Sequence, residues 1–166
     1  MHAPEQPHGM IDIRYSEPGD RAAILALVAG TGYFRDDELP VAQEVLDEAL
    51  KAGPQGHYQS LTAVRAGVPV GWLCFGPTPC TLGTFDIYWI AVDRACQGQG
   101  IGARLVRHAE EMIKARHGRL VVIETSGQER YGSTRGFYLK CGYQEAARVA
   151  DFYAPGDDKV IYTKSV

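Results

Sequence analysis

Apolar and polar residues alternate from Met10 to Tyr15, with Ile11, Ile13 and Tyr15 set against Asp12 and Arg14. A period of two predicts a half-buried strand. Glu17-Pro18-Gly19-Asp20 then opens a helix carrying Ile24, Leu25, Leu27 and Val28, which Gly30 and Gly32 stop. A second helix is predicted from roughly Glu38 to Ala52 on Leu39, Val45, Leu46 and Leu50, ended by Gly53-Pro54. Leu61 to Ala66 and Val68 to Phe75 read as a hairpin around Gly67, followed by a Gly76-Pro77-Thr78-Pro79 loop.

Phe85 to Val92 is an apolar run rich in aromatic and β-branched residues, a strand. After it, Ile101, Leu105, Ala109 and Met112 or Ile113 recur at a helical period as far as about His117, with Gly118 as the C-cap. Arg119 to Glu124 contains Leu-Val-Val-Ile and predicts an interior strand buried on both faces. Ser133 to Lys140 reads as a short helix ended by Gly142. Tyr143 to Val149 and Lys159 to Thr163 read as strands around a turn at Ala154-Pro155-Gly156-Asp157-Asp158. The predicted order is β-α-α-β-β-β-α-β-α-β-β. Nothing in it suggests a repeat or linker, so one domain is expected over residues 10–166. Residues 1–9, with two Pro and two His, read as a disordered lead.

Composition narrows the function classes. The chain has 166 residues and a net charge of −3, so it lacks the basic footprint of a nucleic-acid binder. No apolar run approaches the length of a membrane span and no signal peptide is evident, so neither a membrane partner nor secretion is expected. Cys74, Cys80, Cys96 and Cys141 form no Cys-x-x-Cys pair and no metal-ligand spacing with His. They read as reduced thiols of a cytoplasmic protein, with no metal.

The stretch that carries chemistry joins the Phe85 strand to the next helix. Gln97-Gly98-Gln99-Gly100-Ile101-Gly102 places glycines at alternate positions just before a helix start. Free backbone N–H groups and the positive end of the helix dipole then converge on one spot. Glycine lets a bulky anion approach closely, so the loop reads as a pyrophosphate cradle. A P-loop would need Gly-Lys-Ser/Thr here, and the chain has Gly-Ile-Gly-Ala. A Rossmann fingerprint fits Gly98-x-Gly100-x-x-Ala103 with Glu124 about 20 residues on. Too little chain follows Glu124 for the remaining βα units of a doubly wound sheet.

Two motifs together resemble the Gcn5-related N-acetyltransferase (GNAT) family. Gln97-x-x-Gly100-x-Gly102 looks like its acetyl-CoA loop, and Phe137-Tyr138-Leu139-Lys140-Cys141-Gly142-Tyr143 looks like its second signature. The resemblance covers roughly residues 10 to 165. It implies a single-domain α/β (α+β) GNAT fold, a mixed, mostly antiparallel sheet of about seven strands flanked by about four helices. It also implies an acetyl-CoA-dependent N-acetyltransferase acting on a primary amine by direct attack in a ternary complex. The acceptor would be a small-molecule or amino-acid-like amine. The alternatives are a protein N-acetyltransferase and a non-catalytic CoA-binding sensor. A homodimer is compatible with it.

By the same resemblance, the backbone of Ile90, Ala91 and Val92 holds the pantetheine arm, and Gln97, Gly98, Gln99, Gly100, Ile101 and Gly102 hold the pyrophosphate. Tyr138 sits near the CoA sulfur, and Tyr131 and Thr134 stand where the family carries further CoA contacts. A bulge in the Phe85 strand would aim one N–H at the thioester oxygen. Asp86 is the candidate base, since alternation along the strand would place it on one face with Tyr88, Ile90 and Val92. Glu124 is the second candidate base. Phe34, Asp86 and Asp151-Phe152-Tyr153, with the acidic turn after them, are candidate acceptor contacts.

Overall fold

The computed structural model describes residues 9–166, so the predicted lead lies outside the described residues except for Gly9. The elements are β1 (Ile11–Tyr15), α1 (Arg21–Gly30), α2 (Leu39–Ala52), β2 (Gln59–Arg65), β3 (Val68–Pro77) and β4 (Thr84–Val92). After them come α3 (Ile101–Ala115), β5 (Leu120–Ser126), α4 (Gly132–Lys140), β6 (Gln144–Ala154) and β7 (Asp157–Ser165). All strands join one seven-stranded sheet in the order β1-β2-β3-β4-β5-β7-β6. Neighbours are antiparallel except β4 and β5, which run parallel. This is the mixed, mostly antiparallel architecture that the family resemblance implies.

The two faces bury different helices. In β3, Leu73 and Phe75 point into the core under α3, whereas Trp72 and Cys74 point into the core under α1 and α2. Helix α3 buries Ile101, Leu105, Val106, Ala109 and Ile113, one stripe of a 3.6-residue period. Trp72 is fully buried, and its indole N–H donates to Ser60 Oγ at 2.8 Å, so the indole leaves no unsatisfied donor. Asp20, almost buried at the start of α1, accepts two bonds from Arg14 at 2.7 and 3.0 Å and the Glu17 N–H at 2.8 Å. That group pins α1 to β1. Burial works against the Asp20 carboxylate, and the Arg14 guanidinium outweighs it, holding the group below the usual carboxylate range.

Several expectations shift. Strand β3 runs on to Pro77, which pairs with Phe85, because proline is tolerated at a strand end where its missing N–H is not required. The left-handed residue after α3 is His117 (φ +62°). Gly118 is needed for a different reason: a Cβ there would collide with Ile113. Strand β5 is buried along its α3 face, while on the other face Val122 and Glu124 look into a cleft and Ser126 at the strand's end is buried. The last hairpin turns on Pro155-Gly156 alone, so Asp157 and Asp158 belong to β7.

Leu105 is fully buried at the centre of the α3 core, and a Cβ on Gly71 would lie 3.0 Å from its Cδ1. Leu105→Ala is expected to cost about 2–5 kcal/mol, because packing this tight leaves a cavity that cannot collapse. Urea unfolding measures it.

Candidate functional site

Strands β4 and β5 pair only from Thr84↔Leu120 to Ile87↔Ile123. Beyond that point the β4 edge from Tyr88 to Val92 has no strand beside it, and a cleft of about 1200 Å³ opens between β4 and β5. Where the pairing stops, β4 also carries a bulge. Phe75 pairs with Ile87 and Cys74 with Trp89, so Tyr88 is the extra residue. The bulge reverses the alternation. Phe85, Ile87, Ile90 and Val92 pack toward α3, while Trp89 and Ala91 face α1 and α2.

This corrects the placing of Asp86. It pairs with Gly76, opposite in parity to Phe85 and Ile87, so it shares its face with Trp89 and Ala91 and not with Ile90 and Val92. It still lines the cleft, and its Oδ2 accepts the Thr78 hydroxyl at 2.6 Å. Glu124 lines the same side of the cleft, half exposed and paired with Lys159 at 2.8 Å. It is not the buried, partnerless acid that would make a strong base.

The glycine loop follows β4. Gly98 and Gly100 have φ of +78° and +79°, and nothing lies within 4 Å of where their side chains would begin. Gly100 caps α3, and Arg104 N–H donates to its carbonyl at 3.1 Å as the first bond of the helical ladder. The N–H groups of Ile101, Gly102 and Ala103 therefore have no helical acceptor and face outward at the positive end of the dipole. Gly102 serves another purpose, since a Cβ there would approach Phe137 Cζ to 3.1 Å. It lets α3 and α4 close on each other. Gln97 donates from Nε2 to the Val92 carbonyl at 3.3 Å, tying the loop to the strand end. Gln99 does not line the cleft: its Oε1 accepts from Arg65 Nη2 at 2.7 Å. The bare loop backbone, open on one side and capped by a helix start, fits a diphosphate.

Across the cleft, α4 presents Tyr138, Thr134 and Phe137. Tyr138 is 4 % exposed and packs against Tyr143 and Tyr162. Burial pushes its phenol far above the ordinary value, with smaller contributions from Cys141 and Tyr162. It stays protonated at any neutral pH and keeps its hydroxyl proton available to donate. Tyr131 lines the cleft as well, and its hydroxyl donates to the Tyr33 carbonyl at 2.6 Å. That bond ties the loop between α1 and α2 to the start of α4 and roofs one end of the cleft. Phe34 lines the cleft and packs on Trp89, ring centroids 5.1 Å apart. Phe152 does not line it: half exposed, it carries Lys159 Nζ 3.9 Å over its ring, and its neighbour Tyr153 takes the cleft position.

Sequence reasoning missed Trp89 and Ser126 in the cleft wall, while Tyr153 and Asp157, expected near the acceptor as part of the last hairpin, do line it. Trp89 became visible only with the bulge, and the shorter turn moved Asp157 from the turn into β7. Among the described residues no group of three His, Cys, Asp or Glu is placed to hold a metal, and no helix is long and apolar enough to cross a membrane.

The model of the acetyltransferase (GNAT) family matches residues 10–143. This chain belongs to the GNAT family of acetyltransferases. A Desulfovibrio desulfuricans protein assigned to the GNAT family is 38% identical, with a TM-score of 0.90 over 94% of this chain and 99% of that one. Two more distant GNAT folds match with TM-scores of 0.72 and 0.71. One is an aminoglycoside 6'-N-acetyltransferase solved with coenzyme A, 15% identical over 93% of this chain and 96% of that one. The other is the ribosomal-protein-S18-alanine N-acetyltransferase of Escherichia coli, 20% identical over 95% and 94%. No curated protein matches the chain in sequence.

The roof of this GNAT cleft makes a prediction. Tyr131→Phe removes the bond to Tyr33 and should loosen the loop by about 0.5–1.5 kcal/mol. Limited trypsin digestion should cut after Arg35 about 3- to 10-fold faster, with the global urea midpoint nearly unchanged.

Proposed function

We propose that the protein is an acetyl-CoA-dependent N-acetyltransferase acting on the primary amine of a small-molecule or amino-acid-like acceptor, by direct attack in a ternary complex. One observation carries this reading. The β4 edge is bare from Tyr88 to Val92, with the glycine loop at its end, and the cleft separates a face built by α3 and α4 from one built by α1 and α2. Two reactants can thus meet at β4 from opposite sides. The backbone of Ile90 to Val92 and the loop N–H groups from Gln97 to Gly102 would hold acetyl-CoA, which supplies an acetyl thioester when bound.

The residues of the chain then divide the work. The unpaired backbone at the bulge offers a hydrogen-bond donor for an oxygen that gains charge. Tyr138 holds its proton and donates a hydrogen bond on the α4 side. Full transfer from it to a leaving thiolate is disfavoured, because a thiol sits near 8.5 and the phenol lies above its ordinary 10. The gap costs more than about 2 kcal/mol. The face under α1 and α2 carries the carboxylates Glu38, Asp86, Glu124 and Asp157 in the cleft wall. A protonated amine is drawn there and loses its proton to a carboxylate or to water ordered by one. The roof tied by Tyr131 to Tyr33 favours a compact acceptor over a long peptide.

The direct test follows thiol release from acetyl-CoA with spermidine, an amino-acid amide, an aminoglycoside and a Lys-containing peptide. Release with a small amine is expected. Release with the peptide alone would make this a protein acetyltransferase. Acetyl-CoA binding without release from any amine would make it a sensor.

Two variants probe the cofactor side. Gly100→Asp sets a carboxylate into the loop's open space and strains a left-handed position. Calorimetric affinity for acetyl-CoA should fall about 10- to 100-fold in a folded protein, the worth of a charge-assisted hydrogen bond. Tyr138→Phe should keep that affinity and lower kcat about 10-fold, the worth of one hydrogen bond to a group that gains charge. A wild-type kcat, with chemistry rate-limiting, would reduce Tyr138 to packing.

A further inference from the structure

By its sequence Asp157 belongs to a solvated turn. In the fold it is the first residue of β7, only 6 % exposed, and it lines the cleft. Its Oδ1 accepts the Ser126 hydroxyl at 2.5 Å, and Ser126 Oγ in turn accepts the Gln128 N–H at 3.1 Å. The carboxylate is thus fixed in one orientation by the end of β5. None of the ion pairs among the described residues includes it. Among those residues the one sealed side-chain polar atom without a partner is Arg65 Nε, so the second oxygen of Asp157 opens into the cleft. A carboxylate so withdrawn from water, with its charge uncountered, is costly unless a cation meets it.

The cations nearest it in the cleft wall and on β7 are engaged elsewhere, Arg35 with Asp37 and Lys159 with Glu124. Burial first, then the negative charges of Glu124, Asp157 and Glu38, push the Tyr153 phenol up to about 12. Glu124 is paired with Lys159 at 2.8 Å, and Glu38 Oε2 accepts the Arg35 N–H at 2.7 Å. Asp157 is left uncompensated. Its level along the cleft is also informative. In the parallel pair Ile87 lies beside Ile123, so Ser126, three residues on, is level with Ile90 and Ala91 once the bulge is counted. Asp86, beside Val122, lies roughly 10 Å back along the strands.

We propose that Asp157 seats the ammonium group of the acceptor, holding a primary alkylammonium by a charge-assisted hydrogen bond beside Ile90, with Tyr153 as the wall. The proposal rests on the acetyltransferase reading of the cleft. It selects amines that arrive as cations over those already neutral at pH 7, such as anilines, and it makes Ser126 the residue that positions the carboxylate.

The test uses methylammonium chloride, small enough to enter any acceptor site, on ¹⁵N-labelled full-length protein. Tetramethylammonium chloride at equal ionic strength is the control, a cation without an N–H. Methylammonium is expected to shift the amide signals of Ser126, Gln128 and Asp157 to saturation, and tetramethylammonium to bind at least about 10-fold more weakly. Asp157→Asn, which can still accept from Ser126, should abolish the saturable shift, and Asp12→Asn, exposed on the edge strand β1 and outside the cleft, should keep it. Ser126→Ala retains the charge but frees its orientation and should weaken binding about 3- to 10-fold. It serves as the second variant if Asp157→Asn does not fold. No saturable shift in the wild type, an equal response to both cations, persistence in Asp157→Asn, or unchanged affinity in Ser126→Ala would each overturn the proposal. Amine turnover with an inert Asp157→Asn would remove the seat and leave the acetyltransferase reading. A methylammonium site in a protein that releases no thiol would do the reverse.

Discussion

Strand β4 has to satisfy two incompatible demands. Its first half is an interior strand, paired on both sides and buried between helices. Its second half keeps one edge bare. The parallel pairing with β5 therefore ends at Ile87↔Ile123, and the bulge at Tyr88 falls at that boundary. An unpaired edge in a buried strand leaves backbone N–H and C=O groups without partners, which is costly unless something else meets them. The glycine loop, the α4 contact at Gly102 and the roof over the cleft are all arranged around that bare edge.

The bulge also sorts the chemistry. Because it reverses the alternation, Ile90 and Val92 pack on the α3 side, and Trp89 and Ala91 on the other. The α3 and α4 side offers backbone donors, a helix N-terminus and the buried phenol of Tyr138, all suited to an anionic cofactor. The α1 and α2 side offers carboxylates and aromatic rings, suited to a cation. Opposite electrostatics on two walls of one cleft keep two reactants apart until they meet at β4. Charge that would be repelled on one wall is drawn to the other.

Tight packing supports this division at a few points. Trp72 anchors the α1 and α2 side with its N–H satisfied by Ser60, and the α3 stripe from Ile101 to Ile113 anchors the other. Tyr131 spends its hydroxyl on the Tyr33 carbonyl, so a residue at the mouth of the cleft acts as a tie between segments distant in sequence. Arg65 does the same for Gln99, turning that side chain away from the cleft.

The order of elements and the helix-capping glycine loop were legible in the chain itself, because they rest on local signals: hydrophobic period, turn residues and the spacing of Gly98, Gly100 and Gly102. The family followed from two such local motifs. Side-chain direction was not legible wherever a single extra residue or a shorter turn intervened. Alternation put Asp86 with Ile90, and the Tyr88 bulge undid it. Pro155-Gly156 looked like the centre of a longer acidic turn, and two-residue closure drew Asp157 into β7 and into the cleft. Phe152 and Tyr153 exchanged places for the same reason, since the β6–β7 register is irregular between Val149 and Ala154. A one-residue slip costs little in local propensity and turns a side chain to the opposite face. Local sequence therefore specified which elements form, and long-range strand pairing alone decided which carboxylates and rings share the cleft.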